Sequence, residues 1–161
     1  VVKVLIESKA DINQKSIHGS TAMIRASYSG VVDVVKVLIE SKADINQKSN
    51  MGDTAMISAS SNGKVKMVKV LIERKAEVNQ KNNKDETAVM QAAENGKIDV
   101  VEALIKSKGD VNAKDHWGRT ALMRASKSWG CVDVVEALIE SKGDVNQKDD
   151  RGTTALMFAS R

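Results

Sequence analysis

The sequence predicts an all-α solenoid of stacked helix–turn–helix units with short β-hairpin fingers. Three observations carry that prediction. The first is a recurrence: VVKVLIESKADINQKS at positions 1–16 returns letter for letter at 34–49. Altered copies follow as MVKVLIERKAEVNQKN from Met67, VVEALIKSKGDVNAKD from Val100 and VVEALIESKGDVNQKD from Val134. The second is an alternating block: TAMIRAS at Thr21, TAMISAS at Thr54, TAVMQAA at Thr87, TALMRAS at Thr120 and TALMFAS at Thr154, stepping by 33, 33, 33 and 34. A fixed period of this size marks an array of small units, none able to bury its apolar face alone. Composition is the third. The 161 residues include no proline and four aromatics, although 42% are hydrophobic. An average domain of this length would hold roughly eight prolines, and so few rings suit thin, regular helical layers.

Each unit reads as two short helices. The first follows a threonine whose hydroxyl can accept from a free backbone N–H. It ends near Gly30, Gly63, Gly96 or Gly130, where a left-handed residue is expected. The second, at 31–41 in the first full unit, spaces Val34, Val35, Leu38 and Ile39 into one apolar stripe. Asp33, Asp99 and Asp133 sit in such first turns, where negative charge suits the helix dipole. An extended Asp-Ile-Asn or Asp-Val-Asn stretch follows, then a turn carrying Gly19, Gly52, Gly118 or Gly152, the expected hairpin finger. Small residues at Ala26, Ala59, Ala92, Ala125 and Ala159 let neighbouring helices approach. The units divide as full repeats at 16–48, 49–81, 82–114 and 115–148, with partial repeats at 1–15 and 149–161.

The pattern G-x-T-A-[LM]-[MI]-x-A-[SA], then G-x-[VI]-x-[VM]-V-x-x-L-I, then [AG]-[DE]-[VI]-N resembles the ankyrin repeat over essentially the whole chain. The resemblance implies L-shaped units stacked into a slightly curved ankyrin-repeat solenoid that binds partners through its fingers and the inner face of its first helices. Departures are regular. The family's proline is Ala22, Ala55, Ala88, Ala121 and Ala155, and its histidine is Ile24, Ile57, Met90, Met123 and Met157. Its glycine after the second helix is Lys9, Lys42, Lys75, Lys108 and Lys142, which implies a strain of roughly 1 kcal/mol at each positive φ. Asp85 stands for a finger glycine and tolerates that geometry. The loop asparagines, as in Asp44-Ile45-Asn46, are similar to positions hydroxylated in some eukaryotic members; bonding between successive loops is their structural role. The chain opens inside a second helix and closes after a first one, so a window of a longer array is expected, with pairing of uncapped ends as the rival.

Chemistry finds little purchase. His18 and His116 lie three repeats apart, roughly 30 Å at about 10 Å per unit, too far for a shared relay or metal. Cys131 reads as a small residue at the start of a second helix, with no intrachain partner for a disulfide. Glu40, Glu73, Glu102, Glu136 and Glu140 recur on solvated faces, whereas paired acids for hydrolysis need a cleft. Phosphate loops, Cys-x-x-Cys and His-Glu-x-x-His are missing from the sequence. No catalytic, cofactor-binding or metal-ligating residue is therefore assigned, and the chain is expected not to be an enzyme. The net charge of +4 is a small difference between 25 basic and 21 acidic residues. Glu7, Glu40 and Glu73 interleave with Lys3, Lys36 and Lys69 at i+4, so no nucleic-acid partner is expected. No apolar run approaches the roughly 18 to 20 residues of a membrane span, and the opening residues show no signal-peptide pattern. A soluble, intracellular (cytoplasmic) setting without membrane contact is the expectation.

Overlaying the units separates repeated positions from free ones. Leu38, Leu71, Leu104 and Leu138 do not vary; His18, Met51, Lys84, Trp117 and Arg151 share a finger position and differ. The aromatics fall outside the repeated core positions, and Trp, Tyr and Arg are the residues most enriched at binding hot spots. Trp117, Arg119, Arg124, Trp129 and Phe158 are predicted to form the main recognition patch, with Tyr28 and Met51 as a lesser one. His116, Lys84 and Arg151 are candidates beside them. The alternative is that Trp117 and Trp129 pack on each other or on Phe158. The expected function is a protein–protein interaction scaffold without catalysis; the other readings are a targeting arm of a larger multidomain enzyme or effector, and a self-associating assembly unit.

Overall fold

The computed structural model describes residues 1–128 and 130–160. Trp129 and its predicted packing therefore lie outside the described residues. Among the described residues, α1 (Val2–Glu7), α3 (Val32–Glu40), α5 (Val65–Glu73), α7 (Ile98–Lys106) and α9 (Val132–Glu140) are the second helices of successive units. The first helices are α2 (Ala22–Ser29), α4 (Ala55–Ser61), α6 (Ala88–Glu94), α8 (Ala121–Lys127) and α10 (Ala155–Ala159). Each first helix packs on the next first helix and each second helix on the next second helix, while α2–α3, α4–α5, α6–α7 and α8–α9 pair within units. Two helical layers result.

The local signals act as expected at both ends of the helices. Every first helix opens at the alanine that replaces the family's proline, one residue after its threonine. Thr21, Thr54, Thr87 and Thr120 accept from the amides of Ile24, Ile57, Met90 and Met123 at 3.2–3.4 Å. Gly30, Gly63, Gly96 and Gly130 all have positive φ after them. The lysines after the second helices do too, Lys42 at 65° and Lys75 at 62°. Two backbone bonds hold that geometry: Lys42 N–H donates to Ile39 O and Ala43 N–H to Leu38 O, both at 2.9 Å. These close the helix as glycine normally would and offset the strain.

Packing follows the stripes. Ala26, Ala59, Ala92 and Ala125 are buried in the first-helix layer, where a larger side chain would push neighbours apart. Val35 and Leu38, Met67 and Leu71, Val101 and Leu104, and Val134 and Leu138 fill the space between layers. Ile57, Met90 and Met123 are buried where the family has histidine, so packing takes over from a hydrogen-bond network; Met157 is exposed.

The fingers correct one expectation. The described residues contain no strand, and each finger is a single five-residue turn. In the fourth, Asp115 N–H donates to Arg119 O at 3.0 Å and Gly118 N–H to Asp115 O at 2.9 Å. The Asp115 carboxylate takes the amides of Trp117 and Arg119 at 2.9 and 2.8 Å. Ser16, Ser49, Asn82 and Asp149 bond their own turns in the same column. A side chain thus occupies the amides that a second ladder rung would need. Successive fingers are stitched by one backbone bond each, such as His116 N–H to Lys84 O at 2.9 Å and Asp150 N–H to Trp117 O at 3.1 Å. The loop asparagines bridge units as expected: Asn13, Asn46, Asn79 and Asn112 accept from the amides of Asp44, Glu77, Asp110 and Asp144 at 2.9–3.0 Å.

Candidate functional site

Finger turns and first helices enclose a groove that runs across the units. Its first pocket, about 500 Å³, lies among His18, Arg25, Tyr28, Met51 and Ser58. A second shares Tyr28, Met51 and Asp53 with it and reaches Lys84, Glu86 and Gln91. The third, about 380 Å³, shares those last three and is completed by Trp117, Arg119, Lys127 and Phe158. Shared walls make the three one continuous depression. It lies beside both predicted patches and joins them at Lys84.

The floor of the third pocket is an ion network. Arg124 donates from Nη2 to Asp115 Oδ2 at 2.6 Å and to Glu86 Oε1 at 2.7 Å, and from Nε to Asp115 Oδ2 at 3.1 Å. Its Nη1 donates to Glu94. The residue is 7% exposed. Glu86 also accepts from Asn82 and Gln91, and Asn82 reaches on to Asp53. Burial raises the Glu86 pKa, but the Asn82 amide and the Arg124 guanidinium outweigh it and hold the carboxyl below its usual range. Burial likewise opposes the Arg124 charge, and bonds to Asp115 and Glu86 overcome it, raising that pKa. Asp149 follows the same logic: burial pushes it up, while the amides of Thr153 and Arg151 and the nearby Arg119 hold it below the ordinary carboxylate value.

Above this floor the predicted residues separate into two kinds. Trp117 is 41% exposed on its finger, with the His116 ring edge-on at 5.8 Å. The Arg119 guanidinium carbon is 5.6 Å from the Trp117 ring centre and 5.5 Å from that of Phe158. Tyr28, Met51, Lys84 and Arg151 are exposed. Arg124 and Phe158, in contrast, are buried in the lining of the third pocket. Arg124 is spent on three carboxylates, and Phe158, 8% exposed, belongs to the apolar core beneath Arg119. Both support the site from below.

Asp115, Glu86 and Glu94 complete the site without belonging to the predicted residues. Asp115 shares a column with Ser16, Ser49, Asn82 and Asp149, and Arg124 one with Arg25, Ser58, Gln91 and Phe158, so neither column marks the pair. Among the described residues no group of His, Cys, Asp and Glu is arranged to hold a metal, and no helix is long and apolar enough to cross a membrane. Leu156 on α10, with Leu122, Val135, Ile139 and Val145, lines a separate apolar pocket of about 390 Å³.

A family model described as ankyrin repeats, three copies long, matches residues 1–82 and 76–149. Comparison with curated proteins returns no match.

Proposed function

Because the chain belongs to the ankyrin repeat family, whose repeats generally mediate protein–protein interaction, we propose that it captures a protein partner along the groove between fingers and first helices. Each full repeat, at 16–48, 49–81, 82–114 and 115–148, contributes one finger and one first helix to that surface. The observation that carries this reading is the half-exposed Trp117 beside the groove floor, on a finger whose backbone Asp115 already holds in place. A large ring on a rigid mount gains much buried area on binding and loses little entropy. Tyr28 and Met51 support a second anchor at the other end of the groove. The reading assigns no chemistry to these residues and leaves the chain an interaction scaffold.

A pull-down followed by affinity measurement tests it. In the Trp117→Ala, Tyr28→Ala double variant, affinity for the captured protein is expected to fall about 30-fold or more, the scale of a hot-spot loss. Undiminished affinity in a variant of unchanged circular dichroism would sink the groove as the binding surface.

The apolar pocket at α10 favours a second reading. Leu156, 78% exposed, leaves a face that a second copy of the chain could cover. Light scattering over a concentration series distinguishes it: a mass that rises with concentration supports self-association, and a constant monomer mass excludes it.

A further inference from the structure

We infer that the groove selects an acidic, extended segment of its protein partner, with a carboxylate received between Lys84 and Lys127 and an apolar side chain laid on Trp117. The inference rests on the reading of the groove as a partner-binding surface and adds the chemistry of the occupant. It comes from how the charges beside the groove are spent. Glu86 and Glu94 both accept from Arg124, so each faces a cation within the protein itself. The deeper Asp115 and Asp149 are almost wholly buried against Arg124 and Arg119. Asp53 alone among the groove's carboxylates meets only a neutral amide, that of Asn82. Three of these carboxylates thus share the one guanidinium of Arg124.

Arg25, Lys84 and Lys127 line the groove, are exposed, and make no ion pair among the described residues. Arg119, half-buried, faces Asp149 at 3.8 Å. What an incoming chain meets at the third pocket is therefore a rim with the exposed Lys84 and Lys127, over a floor where one guanidinium is shared by three carboxylates. The chain-wide charge of +4 is too small to produce this rim; the exposure of these unpaired lysines does. A like-charged segment would be repelled and an acidic one steered in, because electrostatic complementarity sets partner choice and encounter rate. Lys84 stands on the finger between those of Met51 and Trp117, and lines both the second and third pockets. A carboxylate on Lys84 thus leaves the flanking side chains of an extended segment within reach of apolar anchors on both sides.

Short random peptides displayed against the 161-residue chain provide the test, with a single-stranded oligonucleotide as polyanion control. The expected result is enrichment of peptides in which Asp or Glu stands beside an aromatic or aliphatic residue. Their affinity should fall about tenfold or more in Lys84→Glu, Lys127→Glu and weaken as salt rises. The neutral Lys84→Gln, Lys127→Gln variant should show a smaller loss in the same direction. Enriched peptides without acidic residues, bound in a Trp117-dependent way, would overturn the acidic occupant and leave the groove standing. Peptides indifferent to both the lysine variants and Trp117→Ala, Tyr28→Ala would remove the groove as well. An oligonucleotide bound more tightly than every peptide would also overturn the inference, in favour of nucleic acid.

Discussion

Arg124 shows how far one side chain can redirect a repeat. Its column holds Arg25, Ser58, Gln91 and Phe158 in the other units; in space it joins the finger of its own unit to the finger and helix end of the unit before. Three carboxylates brought together without it would repel one another in a poorly solvated place. Removing one partner of a buried ion pair typically costs about 3–5 kcal/mol, so Arg124→Ala is expected to lower unfolding free energy by that order in urea titration. A loss below about 1 kcal/mol would show the network to be solvent-screened. The pH dependence has a definite sign. Glu86 and Asp149 have lower pKa values folded than unfolded, so their stabilisation is complete above the unfolded values of about 4.3 and 3.9. It is lost as pH falls from there through the folded values. Glu86→Gln should make the acid-side decline of the urea midpoint shallower; an unchanged slope would contradict the assignment. Sequence alone could not place Arg124 inside the protein, because an isolated arginine reads as exposed.

At the scale of the element, the finger depends on how close the next finger comes. A Cβ on Gly52, at φ 80°, would stand 2.6 Å from the Asn83 backbone nitrogen and 2.5 Å from its side-chain oxygen. A Cβ on Gly152, at φ 75°, would meet nothing within 4 Å. Both substitutions by alanine carry the left-handed cost of about 1–2 kcal/mol, but only Gly52→Ala must also push two turns apart. Gly52→Ala should therefore shift the thermal midpoint clearly further than Gly152→Ala, and equal shifts would show that φ alone matters. The lysines after the second helices make a related point. Lys75 holds φ 62° because two backbone bonds close the helix there, a position from which a β-branched residue is nearly excluded. The helices themselves were legible to within a residue or two, since threonine caps, apolar spacing and terminal glycines act locally. Hairpin strands are absent among the described residues because side-chain acceptors in the Ser16, Ser49, Asn82, Asp115 and Asp149 column take the amides that a second rung would use.

Across the whole molecule, each unit touches only its neighbours, so stability is approximately a sum of unit and interface terms. The described helices differ accordingly. α1 buries none of its residues, whereas α6 buries Ala88, Val89, Met90, Ala92 and Ala93. Amide hydrogen exchange on the 161-residue chain should be fastest in α1 and slowest around α4 and α6, following local opening. Uniform protection from α1 to α6 would mean that the array opens as one unit instead.

The sequence by itself determined the period, the two-helix unit, the caps, the left-handed lysines and the asparagine bridges between loops. All of these repeat, and a contact made in every unit writes itself into every copy. Tertiary structure alone decided which variable residues stay exposed and which are buried. Trp117 stayed exposed, Phe158 went into the core, and Arg124 was buried by carboxylates that lie nine, 30 and 38 residues away in the chain. Such a site is made once, from different columns of neighbouring units. Its partners carry no common spacing, and only the stacking of one unit on the next brings their charges together.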